Sequence, residues 1–234
     1  MLVDKEKCVG CEKCIPYCPV SALSFNGEVA IVDFDQCVEC GVCLRADVCV
    51  TGAIYQQELE WPRTVRSILS NVLTIAPESQ ISGRGTEEMK TNELTGRFKQ
   101  GFAGIGIELG RPGVACRIYD LEKVASAVAE LDIEFEKINP TTSLMTDAKT
   151  GKMKKDVLNE RVLSAILEFV IPNSKIPRLI EILKLVEKKI DTVFSLDIIC
   201  KVEEDDSLPA IEIAKKETWV SINGKTNLGL GRPN

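Results

Sequence analysis

Eight of the ten cysteines lie within the first fifty residues, and their spacing constrains this chain more than any other feature. The first group is Cys8, Cys11, Cys14 and Cys18, in the order C-x2-C-x2-C-x3-C, with a proline directly after it. The second group is Cys37, Cys40, Cys43 and Cys49, which repeats the pattern with five residues before its last cysteine. Two such runs predict that the N-terminal quarter is organised around cysteine-bound metal.

The first spacing is the one that bacterial proteins use for cubane iron–sulfur clusters, in which three cysteines of a run hold one cluster and the fourth ligates the other. This rule predicts two 4Fe-4S clusters with crossed ligands. Cluster 1 is then held by Cys8, Cys11, Cys14 and Cys49, and cluster 2 by Cys37, Cys40, Cys43 and Cys18. On these motifs, residues 1–57 resemble the two-cluster bacterial ferredoxin family, and the resemblance implies transfer of single electrons.

Two departures from that family's pattern concern the second run. Five residues separate Cys43 from Cys49 where the first run has three, and Val50 stands where the family usually has proline. The longer segment predicts a bulge near one cluster, so the reduction potential and the solvent exposure of that cluster are not predicted. The competing interpretation is a pair of structural zinc sites or disulfides. Zinc sites prefer separated C-x2-C pairs, so the evenly spaced triplets favour cubanes.

The two cysteine runs belong to an internal repeat with a shift of 29 residues, in which Asp4-x3-Cys8 matches Asp33-x3-Cys37. Such a repeat predicts two pseudo-equivalent sites side by side. Leu2 and Val3 read as a short strand, and residues 24–32 alternate around Asn26-Gly27, a pair typical of type I′ hairpin turns. Gly10 and Gly41 are expected where the backbone approaches a cluster closely.

Charge is concentrated in the same region. Residues 1–60 contain ten acidic and four basic side chains, a net charge of −6, which equals the net charge of all 234 residues. This asymmetry argues against nucleic acid as a partner and predicts docking to a redox protein with a basic surface. The alternative, that the acids only keep a small domain in solution, stays open.

The chain contains no histidine. This excludes Rieske ligation, histidine-ligated haem and the commonest zinc and acid–base arrangements. Residues 1–7 carry no apolar signal core, and no later run is long enough to span a membrane. We therefore expect a cytoplasmic protein without a membrane partner.

Composition and pattern changes divide the chain into four segments. With 44% hydrophobic and 27% charged residues, a chain of this length suits a globular protein of two domains. We expect a ferredoxin domain over 1–60, a helical connector and polar loop over 61–100, a second domain over 101–205 and a C-terminal tail over 206–234. The connector helix is predicted over 63–73, with Val65, Ile68, Leu69 and Val72 on one face.

The second domain shows alternating strand and helix patterns. Strands are predicted over 102–109, 133–138, 162–171 and 192–202, and helices over 120–131, with Asp120 as N-cap, and over 176–190. The order βαββαβ predicts the split βαβ sandwich, an antiparallel four-stranded sheet with two helices on one face. The whole chain is then an α+β protein. The second domain resembles small-molecule-sensing ACT-type modules in arrangement, without a sequence signature of that family.

Two short sequence motifs each occur twice outside the cysteine-rich region. Lys-Thr-Asn occurs at 90–92 and 225–227, and Leu-Gly-Arg-Pro occurs at 109–112 and 230–233. One hypothesis is that these segments meet and form a site for a small anion from Lys90, Arg97, Arg111, Lys225 and Arg232, since arginine suits carboxylates and phosphates. The alternative is that these are ordinary turn sequences that recur by chance.

Two cysteines lie outside the runs. Cys200 is expected as a small buried hydrophobe in a strand, and Cys116 as a more exposed residue at a strand end. Neither is assigned a redox role, because no histidine can activate it.

The favoured function is an electron carrier or electron-transfer subunit of an oxidoreductase system that is not catalytic alone. The alternative is a redox or metabolite sensor that uses the ACT-like domain. An enzyme with chemistry at a cluster edge is disfavoured, since every iron has a cysteine ligand. A second copy of the chain, joined through the sheet of the second domain, is a further candidate partner.

Overall fold

The structure is a computed structural model that describes residues 1–77, 80, 82, 99–111 and 113–221. In chain order the strands of the N-terminal unit are β1 (Leu2–Val3), β2 (Leu23–Phe25), β3 (Ala30–Val32) and β4 (Ile54–Tyr55). Its one α-helix of four residues is α1 (Val42–Arg45), and Ile15–Tyr17 form a 3-10 turn. Strand β1 pairs antiparallel with β4, and β2 pairs antiparallel with β3. The described backbone thus confirms the predicted first strand and the predicted hairpin.

The turn of the hairpin differs from the prediction. A type I′ turn needs positive φ at both central residues, but of Asn26 and Gly27 only the glycine has it, at 97°. Instead the side-chain oxygen of Asn26 accepts the N–H groups of Glu28 and Val29 at 3.0 and 2.9 Å. The asparagine therefore builds a wider, four-residue loop through its own side chain.

The internal repeat is visible in the backbone. The carbonyl of Asp4 accepts the N–H of Cys8 at 3.0 Å, and that of Asp33 accepts the N–H of Cys37 at 2.9 Å. Positive φ recurs at matching positions of the two halves: Gly10 and Glu12 at 66° and 59°, Glu39 and Gly41 at 55° and 67°. The two cysteine loops are therefore folded alike.

The connector forms helix α2 (Thr64–Ser70), after a cis peptide bond between Trp61 and Pro62. The helix is shorter than predicted because Asn71 leaves the helical region and its side-chain oxygen accepts the N–H of Leu73 at 3.1 Å. Val65 and Leu69 are buried in the core of the second unit, which contains the elements from Phe102 to Glu217, whereas Val72 is 65% exposed.

The second unit contains seven strands and three helices within the described residues. The strands are β5 (Phe102–Leu109), β6 (Cys116–Arg117), β7 (Met145–Asp147), β8 (Lys152–Met153), β9 (Arg161–Val162), β10 (Ala165–Pro172) and β11 (Phe194–Cys200). The helices are α3 (Ile118–Ala129), α4 (Ile176–Val186) and α5 (Pro209–Glu217). The main sheet has β5 in the centre with β10 and β11 antiparallel on either side.

One hydrophobic core joins this sheet to its helices. Alternate residues of β5 point into it, from Ala103 to Leu109, as the period of two along a strand requires. Helix α4 contributes residues spaced three and four apart, Leu179, Ile182, Leu183 and Val186, which confirms the predicted face. Helix α5 lies in the segment predicted as a C-terminal tail, but it packs on α4 and buries Ala210 and Ala214 in the same core.

The predicted strand over 133–138 is wrong. In that segment only Phe135 bridges to β10, opposite Phe169. The N–H of Glu136 donates to the carbonyl of Glu168 at 2.7 Å, but the carbonyl of Ile166 is taken by the side-chain amide of Asn139 at 3.4 Å. A side chain thus stands where a fourth strand would continue. The α+β class holds, and the four-stranded βαββαβ sheet is not confirmed.

The boundaries of four elements also differ from the prediction. Asp120 is not an N-cap, because α3 begins at Ile118 and Asp120 lies in its first turn, buried and bound to Lys123 Nζ at 2.7 Å. The strand predicted over 162–171 is divided, since Val162 pairs with Cys116 before β10 begins at Ala165. Helix α4 ends at Val186 in a 3-10 turn, four residues early, and the last strand covers 194–200.

Among the residues that the structure describes, no helix has both the length and the apolar character needed to cross a bilayer.

Candidate functional site

The eight clustered cysteines line two cavities, each with three cysteines from one run and one from the other. The first cysteine cavity is lined by Cys8, Cys11, Cys14 and Cys49. The second cysteine cavity is lined by Cys18, Cys37, Cys40 and Cys43. The crossed assignment of ligands requires this grouping of three cysteines from one run with one from the other. Iron ligation itself stays a prediction.

The donor set of each cavity fits a cubane cluster. Apart from four sulfurs, the first cavity is lined mainly by small apolar side chains such as Val3, Ala30 and Ile54, and the second by Val20, Leu23 and others. Within the described ranges, no three acidic or cysteine side chains converge on a point that could hold a single metal ion. Cubane ligation requires no such convergence, because each thiolate binds a different iron.

Backbone N–H groups point at three of the sulfurs. Ala22 donates to Cys18 Sγ at 3.1 Å, Ala53 donates to Cys49 Sγ at 3.2 Å, and Ala30 donates to Cys8 Sγ at 3.4 Å. Donors in this position stabilise negative charge on sulfur, and hydrogen bonds of this kind tune cluster potentials. The loops therefore place hydrogen-bond donors at sulfurs that would carry negative charge as thiolates.

Burial opposes the ionisation of several of these thiols. It raises the pKa of Cys43 to about 11, and it also raises the pKa values of Cys14 and Cys40. For Cys49 burial also opposes ionisation, but the N–H groups of Ala53 and Thr51 and the hydroxyl of Thr51 outweigh it and lower the pKa. Thiol ligands must be deprotonated to bind metal, so metal binding at these cysteines would release protons.

The two cavities differ in exposure. At the first cavity Cys11 is exposed, and Val9 beside it is 64% exposed. At the second cavity Cys37, Cys40 and Cys43 are all buried. Val38 and Cys40 pack together with Ala115, and Leu163 lies against them, so that residues of the second unit cover this side. The first cavity thus reaches the surface while the second lies against the second unit.

Arginines from outside the cysteine runs hold the loop over residues 34–39, next to the second cavity. Arg66 donates to the carbonyl of Cys37 at 2.8 Å, and Arg161 donates to the carbonyl of Gln36 at 2.8 Å. Arg117 forms an ion pair with Asp35, which holds the pKa of that carboxyl below its usual range. Sequence reasoning missed these residues because long-range packing brings them together, and no local pattern marks them.

Glu39, in the same loop, is fully buried and forms ion pairs with two cationic groups. Arg63 Nε donates to its carboxylate at 2.8 Å, and the amino group of Met1 contacts it as well. Burial opposes ionisation of Glu39, but the amino group and the guanidinium outweigh it, so the pKa is lowered. The buried acid anchors the connector to the second cysteine loop.

The proposed anion site is mostly outside the described part of the chain. Lys90, Arg97, Lys225 and Arg232 all lie there. Arg111 is half-exposed, and its guanidinium donates to Glu108 at 3.3 Å. The site therefore stays a prediction.

The burial of the two remaining cysteines is the reverse of the prediction. Cys116 was expected to be the more exposed but is 2% exposed, because β6 packs into the core, and burial raises its pKa to about 12. Cys200 is only partly buried, at the end of β11.

Comparison with known proteins supports the chemistry of the cysteine runs. Residues 1–24 match the family described as a 4Fe-4S binding domain. The chain is 38% identical over 52 residues to pyruvate synthase subunit PorD of Methanothermobacter marburgensis, with 22% of this chain and 58% of that relative covered. It is 38% identical over 58 residues to an uncharacterized ferredoxin of Methanocaldococcus jannaschii, covering 23% of this chain and 73% of the relative.

A third relative is the protein named Ferredoxin 7Fe of Hydrogenibacillus schlegelii, with 33% identity over 64 residues, 25% of this chain and 80% of the relative. No solved structure matches the chain. The three alignments cover a quarter of the chain or less. Through its N-terminal segment, with the cysteine runs and the loops that surround them, the chain belongs to the 4Fe-4S ferredoxin family.

Proposed function

We propose that the protein carries single electrons through two 4Fe-4S clusters, one in each cysteine cavity, to or from a larger redox enzyme. The observation that carries this proposal is the presence of two cavities, each lined by four cysteines drawn from both runs. A bound 4Fe-4S cluster supplies reversible one-electron chemistry whose potential depends on charge, hydrogen bonds and exposure.

The chain's own residues prepare each cavity for that role. Each cavity has four sulfurs at the predicted ligand positions, and most of its other lining residues are apolar. The N–H groups of Ala22, Ala30 and Ala53 stabilise charge on three of the eight sulfurs. Since all eight cysteines are taken by ligation in this arrangement, no iron is left with an open position for substrate. Electron transfer without bond chemistry is the function that follows.

The first cysteine cavity is the proposed exchange point with the partner. Cys11 and Val9 bring this cavity to the surface, and Glu12 and Lys13 at its lining are exposed. The net charge of −6 over residues 1–60 favours a partner with a basic surface, because complementary charge accelerates encounter.

The relatives suggest the kind of partner. One of them is named a subunit of pyruvate synthase, and this chain spans 58% of its length. By analogy, this protein would serve an oxidoreductase as its electron-transfer component. Its second unit, which covers the other cavity, would then fix the choice of partner.

Iron content decides the number of clusters. Protein reconstituted under anaerobic conditions should bind about eight irons, as two four-iron clusters require. Reduction with dithionite should yield two paramagnetic centres in electron paramagnetic resonance. Iron content that saturates at half this value would overturn the two-cluster proposal.

Charge reversal tests the exchange point. Cytochrome c is a basic one-electron acceptor and can serve as the probe. Glu12→Lys should slow its reduction by the dithionite-reduced protein, and the difference should shrink as salt is added. The matched control is Glu187→Lys, an exposed acid of the second unit. Equal slowing by both variants would contradict docking at the first cavity.

A further inference from the structure

Arg66 lies between the second cysteine cavity and the second unit, with its side chain only 5% exposed. One end of its guanidinium, Nη1, donates to the carbonyls of Asp35 and Cys37 at 2.7 and 2.8 Å. The other side, Nε, contacts the carboxylate of Glu160, whose side chain is 12% exposed. Arg66 therefore bridges a cavity-lining residue and an acid of the second unit.

The positive group of this bridge contacts a residue that lines the cavity, and the negative group contacts the positive group. The cation binds the carbonyl of Cys37, whose sulfur lines the cavity, while the anion Glu160 contacts the guanidinium through Nε. Burial of both groups limits screening by water, so their charges act more strongly than they would at the surface.

The first cysteine cavity has no comparable bridge among the described residues. The charged side chains that line it are Glu12 and Lys13, and both are exposed to solvent. Water and salt screen charges in such positions. The two cavities therefore differ in their electrostatic surroundings although their cysteine loops are folded alike.

We propose that Arg66 sets the reduction potential of the cluster in the second cysteine cavity, raising it, and that Glu160 of the second unit moderates this effect. The inference rests on the proposed function, since it presumes a cluster in each cavity. Reduction adds one negative charge to a cluster, and net charge and hydrogen bonding are among the factors that set its potential. A buried cation next to Cys37 favours the reduced form, and the paired carboxylate opposes it.

Redox titration with dithionite as electron donor, followed by electron paramagnetic resonance, tests the proposal on the reconstituted protein. Arg66→Gln should shift the midpoint of the second-cavity cluster to lower potential. Glu160→Gln leaves Arg66 in place and should shift the same midpoint to higher potential. The first-cavity cluster should keep its midpoint in both variants.

Two comparisons make the result specific. Cys18→Ser and Cys49→Ser identify which signal belongs to which cavity, because each changes one ligand of one cavity. Arg178→Gln removes an exposed arginine that pairs with Glu181 on the surface, and it should leave both midpoints unchanged. A shift caused by loss of one positive charge anywhere in the chain would appear in this control.

Shifts of the two bridge variants in opposite directions support the proposal, and a residue that only holds the loop in place would not produce them. Unchanged midpoints, or shifts in the same direction, overturn it. If Arg66→Gln binds too little iron to titrate, Glu160→Gln decides alone, with an unchanged midpoint counting against the inference. Failure of the proposed function is distinguishable, since wild-type protein would then show only one cluster.

Discussion

Ala22 donates its backbone N–H to the sulfur of Cys18 at 3.1 Å, and the repeat places Ala53 in the same relation to Cys49, at 3.2 Å. Both cysteines are the last of their runs, and each lies in the cavity that holds the other run. The two extra residues of the second run leave this relation intact. They precede Cys49, in the segment where the backbone turns with a positive φ of 50° at Asp47.

Serine substitution at the crossing positions should separate the two centres. Cys18→Ser should alter the same paramagnetic signal as Cys37→Ser, although these residues belong to different runs, because both line the second cavity. Cys49→Ser and Cys14→Ser should alter the other signal. Spectra of the four reduced variants check this. Pairing of Cys18 with Cys14 instead would mean that each run holds its own cluster.

Gly10 and Gly52 should respond differently to alanine although both have positive φ, at 66° and 62°. A Cβ on Gly52 would meet nothing within 4 Å, so Gly52→Ala should cost only the conformational strain, about 1 kcal/mol. A Cβ on Gly10 would lie 2.6 Å from the carbonyl oxygen of Glu28, and the backbone must move. Gly10→Ala should add an overpacking cost of about 1–3 kcal/mol.

Thermal unfolding of the reconstituted protein, with iron release as a second readout, ranks these two variants. Gly52→Ala is the matched control, since it carries the same substitution and a similar φ. Equal midpoints would show that the loop at Gly10 yields without cost. The expected order is wild type, then Gly52→Ala, then Gly10→Ala.

The features that could be predicted from the sequence are those governed by local spacing. The cysteine runs, the repeat of Asp4 and Asp33 and the apolar face of α4 are properties of short segments, and the structure reproduces them in its backbone and core. The face predicted for α2 is reproduced as far as Leu69 but not at Val72. Positive φ at Gly10 and Gly41 also agrees with the prediction that glycine occurs where the loop backbone must turn closely. The same loops contain Glu12 and Glu39 with positive φ, which composition alone does not reveal.

What could not be predicted depends on contacts between distant segments. Arg66 and Arg161 donate to carbonyls that lie 29 and 125 residues away, and nothing next to them in the sequence indicates this. The segment over 133–138 fails as a strand for a similar reason. Its burial alternates at Ile133 and Phe135 as predicted, but whether a ladder forms depends on which group reaches the carbonyl of Ile166.

Asn139 should therefore be a major determinant of stability in the second unit. It is fully buried, its amide donates to the carboxylate of Glu168 at 2.6 Å, and its oxygen accepts the N–H of Thr141 at 2.7 Å. Asn139→Ala removes these two hydrogen bonds and the one to the carbonyl of Ile166, and leaves buried polar groups without these partners, at a cost of about 2–4 kcal/mol. Urea unfolding followed by far-UV circular dichroism measures the loss.

The control for this prediction is Asn159→Ala, since Asn159 lies nearer the surface and contributes only its backbone carbonyl to Arg117. That variant should stay within about 0.5 kcal/mol of wild type, as is usual for surface changes. A similar small loss for Asn139→Ala would mean that the buried amide is readily replaced by water.

Cys116 and Cys200 are the two thiols that the cluster proposal leaves free, and they should differ in reactivity. The thiolate is the nucleophile, and burial raises the pKa of Cys116 to about 12. Burial also raises the pKa of Cys200, but this side chain is partly accessible. With iodoacetamide at pH 8, the reconstituted protein should be modified slowly at Cys200 and not at Cys116. Peptide mass spectrometry distinguishes the two sites.

The raised pKa of Cys116 also sets the sign of a pH effect on stability. An ordinary thiol ionises near the reference value of 9.0, so above this pH the unfolded chain loses the Cys116 proton while the folded chain keeps it. The contribution is fully present below pH 9 and is lost as pH rises toward the folded pKa. Urea unfolding between pH 8 and pH 10 should show falling stability, and Cys116→Ala should show a shallower fall. Identical slopes would mean that Cys116 ionises in the folded protein as readily as in the unfolded chain.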